Sequence, residues 1–156
     1  MNFAELGLMP QLLEAITAAG YTDPTTVQGE AIPAALAGTD LLVSSHTGSG
    51  KTAAFMLPAL QRLATTPGGK GKGPRVLVLT PTRELALQIN RAALDYGKGM
   101  RNLRTAALVG GSSYAHQLRS LERPVDIAVA TPGRLIDHLE RGRIDLSRVE
   151  ILVLDE

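Results

Sequence analysis

Cysteine and tryptophan are absent from the 156 residues, and only two Phe and three Tyr are present. Without Cys there is neither a disulfide framework nor a thiolate metal site. So few rings exclude a platform on which successive nucleic-acid bases stack. No apolar run approaches the ~20 residues that a membrane-spanning helix requires. The start, Met1-Asn2-Phe3-Ala4-Glu5, lacks the basic residues and continuous apolar core of a signal peptide. Charge of one sign is lacking too, since 16 Lys and Arg stand against 15 Asp and Glu for a net +1. That balance excludes capture of a polyanion by a bulk positive field, so any nucleic-acid contact has to be local. These absences describe a chain expected to be cytoplasmic.

What is present is ordinary globular material. Hydrophobic residues make up 44% and charged residues 20%, and the length suits one domain with a real core. Residues 5–19 place Leu6, Leu8, Leu12, Leu13 and Ile16 on one face of an expected helix that Gly20 ends. Pro24, with Thr25 or Thr26 as cap, starts a second helix running to about Leu36. Residues 65–74 read as a flexible basic loop whose Lys70 and Lys72 are solvated. Short Val-, Ile- and Leu-rich segments follow at 75–80, 105–109, 126–130 and 150–154, expected to be strands buried on both faces. Helical stretches at 83–96, 114–123 and 133–141 lie between them. The alternation predicts an α/β domain with a mostly parallel sheet, whose ligands sit beyond the carboxyl ends of its strands.

The most informative stretch is 41–63. An apolar run of strand type, Leu41-Leu42-Val43, leads into Ser45-His46-Thr47-Gly48-Ser49-Gly50-Lys51-Thr52 and then a helical run from Ala53 to Leu63. Strand, glycine-containing turn, Gly-Lys-Thr and helix form the context of a phosphate-binding P-loop. Gly48 and Gly50 let backbone N–H groups approach an anion, and the helix N-terminus adds its dipole. Lys51 has the reach for β- and γ-phosphates, and the Thr52 hydroxyl suits Mg²⁺. Ser45 stands where the pattern asks for glycine, a small residue that still fits a tight turn. The alternative is a strand–helix turn that binds nothing.

A second half of the site follows from the last strand, whose apolar run Ile151–Leu154 ends in Asp155-Glu156. Two carboxylates after a strand are commonly a solvated strand end. With a P-loop upstream they form the Walker B arrangement, with Asp155 assigned to Mg²⁺ and Glu156 to the attacking water.

These segments, together with Pro81-Thr82-Arg83-Glu84-Leu85-Ala86, Gly110-Gly111 and Thr131-Pro132-Gly133-Arg134, stand in the order and spacing of the DEAD-box RNA helicases. The stretch from Gly20-Tyr21 through Pro24-Thr25 to Gln28 is similar to that family's Q motif, with Phe3 as its upstream aromatic. The resemblance covers nearly the whole chain and is strongest to bacterial members. It implies a RecA-like P-loop domain, with a Q-motif region over 1–37 and a partial ATP-binding domain over 38–156. Lys51, Asp155 and Glu156 become the catalytic residues.

 The ATP-binding set is thus Phe3, Tyr21, Gln28 and the loop residues Ser45, His46, Thr47, Gly48, Ser49, Gly50, Lys51 and Thr52, with Thr52 and Asp155 on Mg²⁺. Gln28 carries an amide able to pair with N6 and N7 of adenine, where guanine presents an acceptor instead of the N6 donor, so ATP is the expected nucleotide.

In the family, Pro81, Thr82, Arg83, Gly110, Gly111, Thr131, Pro132, Gly133 and Arg134 hold the RNA sugar–phosphate backbone. Arginine, hydroxyls and helix-start N–H groups suit that task without reading bases. Thr82 and Thr131 equally suit simple helix caps. His46 and Ser45 replace the family's usual Gln and Ala, and a His there could make the loop mildly pH-sensitive. Thr26 and Val27 replace Pro and Ile. His116 and His138 have no ligand-type neighbours in sequence and are expected to be surface or structural.

The resemblance further implies RNA-stimulated ATP hydrolysis coupled to local unwinding, with a second RecA-like domain as partner. The Ser-Ala-Thr motif and that second domain have no counterpart in these residues, so the chain alone is expected to bind ATP and RNA weakly and not to unwind. In the family's sheet the Ser-Ala-Thr strand lies between the P-loop strand and the Asp155 strand. An incomplete sheet with unpaired backbone on both sides of that gap is the consequence. A P-loop ATPase acting on DNA or on a non-nucleic-acid substrate is the competing reading. No membrane association is expected, and oligomeric state is left open.

Overall fold

The computed structural model describes residues 2–43 and 50–155. They fall into two compact units, one comprising the described residues up to 66 together with 92–101, the other 67–91 together with 102–155.

The first unit is helical. A 3-10 turn, Phe3–Leu6, is capped by the Asn2 side chain, which accepts from the Glu5 N–H at 3.1 Å. Gly7 ends it at φ +94°, and Pro10 at the first position opens α1 (Pro10–Ala18). The expected single helix over 5–19 is therefore two pieces. Gly7 and Pro10 override the apolar periodicity, because a left-handed residue and a missing N–H interrupt the hydrogen-bond ladder. The periodicity still identifies the buried face, since Leu6, Leu8, Leu12 and Ile16 are all buried. α2 (Thr26–Leu36) starts at a Thr25 cap as expected and packs on α3 (Lys51–Thr65). Gln61 of α3 ties down the bend before α1, accepting from Met9 N–H at 2.8 Å and donating to the Gly7 carbonyl at 3.0 Å.

Leu41–Val43 form no strand, and Leu42 is fully exposed. A strand requires a hydrogen-bonding neighbour, and among the described residues this apolar run has none. The remainder of the expected P-loop turn, Ser45 to Ser49, lies outside the described residues.

The second unit holds the sheet. Its strands are β1 (Val76–Leu79), β2 (Thr105–Leu108), β3 (Ile127–Ala130) and β4 (Ile151–Leu154), ordered β2-β3-β1-β4 and parallel throughout. α4 (Arg83–Tyr96), α5 (Tyr114–Leu121) and α6 (Pro132–Glu140) follow β1, β2 and β3. β3 is buried along its whole length. Leu77, Ala106, Leu108, Ala128 and Ala130 pack with Val125 and Leu135 in one core cluster. β4 departs from the expectation of burial on both faces. Among the described residues it pairs only with β1, and Leu152 and Leu154 are 55% and 70% exposed. An edge strand covered on one face keeps the alternation that a central parallel strand loses. The loop over 67–74 is anchored rather than loose. The Arg148 guanidinium donates to the Gly73 carbonyl, to Gly69 O at 3.1 Å and to Val125 O at 3.1 Å. Lys70 and Lys72 are exposed, as expected of solvated lysines.

Candidate functional site

Because the sheet is parallel, all its carboxyl-end turns lie on one side. Strands β2, β3 and β1 are successive neighbours in register, with Leu108 opposite Ala130 and Ala130 opposite Leu79. The turns that follow them, Gly110-Gly111, Thr131–Arg134 and Pro81–Arg83, therefore line one sheet edge at spacings of ~4.8 Å between strands. The three backbone-binding candidates from the sequence are thus brought together. A Cβ placed on Gly111 would sit 3.1 Å from Arg83 Nη1, so the guanidinium lies directly against the glycine turn. Gly111 is at φ +80°, a conformation that other residues take only at a cost.

The two threonines divide. Thr82 is a cap in fact, its hydroxyl accepting from Leu85 N–H at 3.2 Å. Thr131 occupies the N-cap position of α6 but makes no capping bond with its side chain. Its hydroxyl is not used in holding the helix start.

Arg134 is held by the neighbouring turn. Its Nη1 donates to the Ser112 carbonyl and to Gln117 Oε1, both at 3.2 Å, and its guanidinium lies 4.0 Å from the centre of the Tyr114 ring. Gln117 is the hub of this arrangement and is itself buried. Its Nε2 donates to the Val109 carbonyl at 2.8 Å, which orients Oε1 as the acceptor for Arg134 and for His138 Nε2 at 2.7 Å. His138 Nε2 must then carry the proton. Its Nδ1 is buried without a hydrogen-bond partner among the described residues. Sequence left His138 between surface and structural roles, and it is structural. His116 is exposed.

Burial, followed by the charges of Arg134 and Arg143, holds the His138 pKa below its ordinary 6.5. The imidazole is neutral in the folded state, whereas the unfolded chain takes up a proton near 6.5. The resulting stabilisation is complete above that value and is lost as pH falls below it toward the depressed folded value. Chemical unfolding at a series of pH values should therefore show wild type losing stability on acidification below ~6.5. His138→Gln should show a smaller loss over the same range. Equal slopes for the two proteins would refute the assignment.

In the helical unit, Gln28 is fully buried in a capping box. Its Oε1 accepts from Thr25 N–H at 3.0 Å, and its backbone N–H donates to the Thr25 hydroxyl oxygen at 3.3 Å. The amide Nε2 donates to the Gly50 carbonyl at 3.2 Å. Gly50 caps α3 at φ +83°, and a Cβ there would run into the Gln28 amide. The Q-motif candidate and the end of the P-loop candidate are thus in direct contact. Among the described residues, one lone pair and one hydrogen of the amide remain uncommitted. Phe3 meets Tyr21 edge-on at 6.5 Å between ring centres, and Tyr21 also meets Tyr96 at 6.4 Å. Burial and the Tyr21 contact push the Tyr96 hydroxyl above its ordinary pKa. Lys51 and Thr52 begin α3 and are half-buried.

Asp155 follows β4, its N–H donating to the Leu79 carbonyl at 2.9 Å, which continues the ladder one residue past the strand. Glu156 lies outside the described residues, as do Ser45, His46, Thr47, Gly48 and Ser49. Among the described residues, no three His, Asp or Glu cluster as a metal cage. Mg²⁺ does not need one. It is held by one or two protein oxygens together with waters and phosphate, and the hydroxyl of Thr52 and carboxylate of Asp155 are hard oxygen donors of the right kind. No helix among the described residues is long and apolar enough to cross a membrane.

Sequence reasoning missed Tyr114, Gln117 and the packing role of His138. One signal was available: Tyr114 is one of only three tyrosines.

A parallel α/β sheet carrying these turns on one edge defines a class, and comparison with known families agrees with it. Residues 25–156 match the DEAD/DEAH box helicase family, and the chain belongs to that family. It is 51% identical over 155 residues to the ATP-dependent RNA helicase DeaD of Escherichia coli K12, covering 99% of this chain and 24% of that protein. The proteins of the same name from Mycobacterium tuberculosis H37Rv and from Buchnera aphidicola of Acyrthosiphon pisum are 50% and 46% identical over 99% of this chain. The chain covers 27% and 25% of those two. It thus spans about a quarter of the length of these relatives.

Proposed function

We propose that this protein is an ATP-dependent RNA helicase, and that the present residues supply ATP binding and one part of the RNA-backbone contact. The observation that carries the RNA half is the alignment of Pro81–Arg83, Gly110-Gly111 and Thr131–Arg134 on one edge of the sheet. Arginine side chains, glycine-turn N–H groups and an unused Thr131 hydroxyl meet sugar and phosphate without reading sequence.

For the nucleotide, Gln28 is assigned to adenine with Phe3 and Tyr21 bordering the base, and Ser45 to Gly50 to the phosphates. Lys51 is assigned to the β- and γ-phosphates. Thr52 and Asp155 would hold Mg²⁺, which neutralises developing charge on the phosphates when bound. Glu156 is assigned to orienting the attacking water. The RNA partner, a second RecA-like domain and a cytoplasmic location belong to the same proposal.

Gln28→Glu is the informative variant, because Glu at the third helical position preserves the capping box while removing the amide donor. Labelled ATP, competed with unlabelled ATP and GTP, should bind wild type with a preference for ATP. The variant should lose roughly 5- to 100-fold in ATP affinity, the worth of a good bidentate base contact. Equal competition by GTP in wild type would remove Gln28 from base recognition.

A further inference from the structure

The contacts of Tyr114 go beyond the three turns. Three guanidiniums gather on its ring: Arg134 at 4.0 Å from the centroid, Arg141 at 5.4 Å and Arg143 at 5.6 Å. Arg134 opens α6, and Arg141 and Arg143 follow its end, so the ring of Tyr114 bridges two helical turns. Like charges this close repel unless counter-charges intervene. Arg141 has one, with its Nε 3.0 Å from Asp137 Oδ1. Among the described residues, Arg134 and Arg143 pair with no carboxylate. Among these residues Arg134 donates only to neutral oxygens, and Arg143 Nη1 is buried without any hydrogen-bond partner. A buried, unpaired guanidinium nitrogen beside two further cations is costly unless an anion completes it.

We propose that Tyr114, Arg134, Arg141 and Arg143 form an additional phosphate-binding subsite that extends the RNA-backbone contact from the α6 start to its C-terminal end. This rests on the RNA reading above. A phosphodiester fits for two reasons. Guanidinium forks match phosphate oxygens bidentately. Arg134 also belongs both to the Thr131–Arg134 turn and to the Tyr114 cluster, so the track is continuous. Tyr114 serves as a flat spacer that gathers the guanidiniums by cation–π attraction, and Arg134 already occupies one face of its ring.

The test is the salt dependence of single-stranded RNA binding by the chain, followed by fluorescence anisotropy. Wild type is compared with Arg141→Gln, Arg141→Gln/Arg143→Gln and Arg141→Lys/Arg143→Lys. Each lost phosphate contact should lower the slope of log K against log salt by about 0.7, equivalent to roughly fivefold in affinity near 0.1 M salt. The double Gln variant should show this reduction. The Lys variant should restore most of the slope, because charge is retained. Arg141→Gln alone keeps the half-buried Arg143 in place and should show a partial reduction, which guards against misfolding of the double variant. Wild-type slopes in both Gln variants would overturn the subsite while leaving the RNA reading intact. Absence of RNA binding by wild type would overturn both. Binding of poly-glutamate that the Gln variants lose, with RNA slopes unchanged, would assign the cluster to an acidic protein and equally overturn it.

Discussion

Glu150→Ala should lower unfolding stability by about 2–3 kcal/mol, somewhat less than the loss expected on breaking a fully buried ion pair. Arg75, just before β1, is 6% exposed, and its guanidinium meets the Glu150 carboxylate twice, Nε at 2.6 Å and Nη2 at 3.3 Å. The Arg75 carbonyl also accepts the N–H groups of Glu150 and Ile151, at 2.8 and 3.2 Å. Backbone and side chain together therefore fasten the edge strand β4 to β1. Removing Glu150 leaves a guanidinium with little access to water and weakens the start of the strand that delivers Asp155. Urea unfolding monitored by circular dichroism measures the loss. The double variant Arg75→Met/Glu150→Met should recover most of it, since apolar replacement of a buried pair is often neutral. An unchanged midpoint in Glu150→Ala would show that solvent already screens the pair.

Gln117→Ala should be at least as damaging, by about 3 kcal/mol, because one side chain satisfies three partners. Its removal leaves the Val109 carbonyl, the His138 N–H and one arm of Arg134 without their bonds, two of them in the interior. The same network connects the residue before Gly110-Gly111 to Arg134. The variant should therefore weaken RNA binding beyond what its loss of stability explains, when measured well below the melting temperature. RNA affinity equal to wild type at full folding would mean that Arg134 does not depend on Gln117 for its position.

Much of this was legible in the residues. The parallel alternation of strand and helix, the start of α2 at Thr25 and the full span of α4 followed from local rules, because caps and apolar runs act within a few residues. The split of the first helix was also written locally, in Gly7 and Pro10, but apolar periodicity outweighed those signals. Leu41–Val43 had the composition of a strand and did not become one. Composition supplies propensity, whereas a strand exists only when a neighbour accepts its hydrogen bonds.

Taken alone, the sequence determined the class of protein, since five motifs in order specify the family more tightly than any contact does. It also determined which turns follow which strands. The tertiary structure decided how those turns are used. It made Thr82 a cap and left the Thr131 hydroxyl free of capping, set Gln28 against Gly50, and buried His138 beside Gln117. It also gathered Arg134, Arg141 and Arg143 on Tyr114. None of these follows from spacing along the chain. A motif records which chemical groups are available, and only the packing of neighbouring elements settles which hydrogen bonds are already taken and which charges remain unpaired.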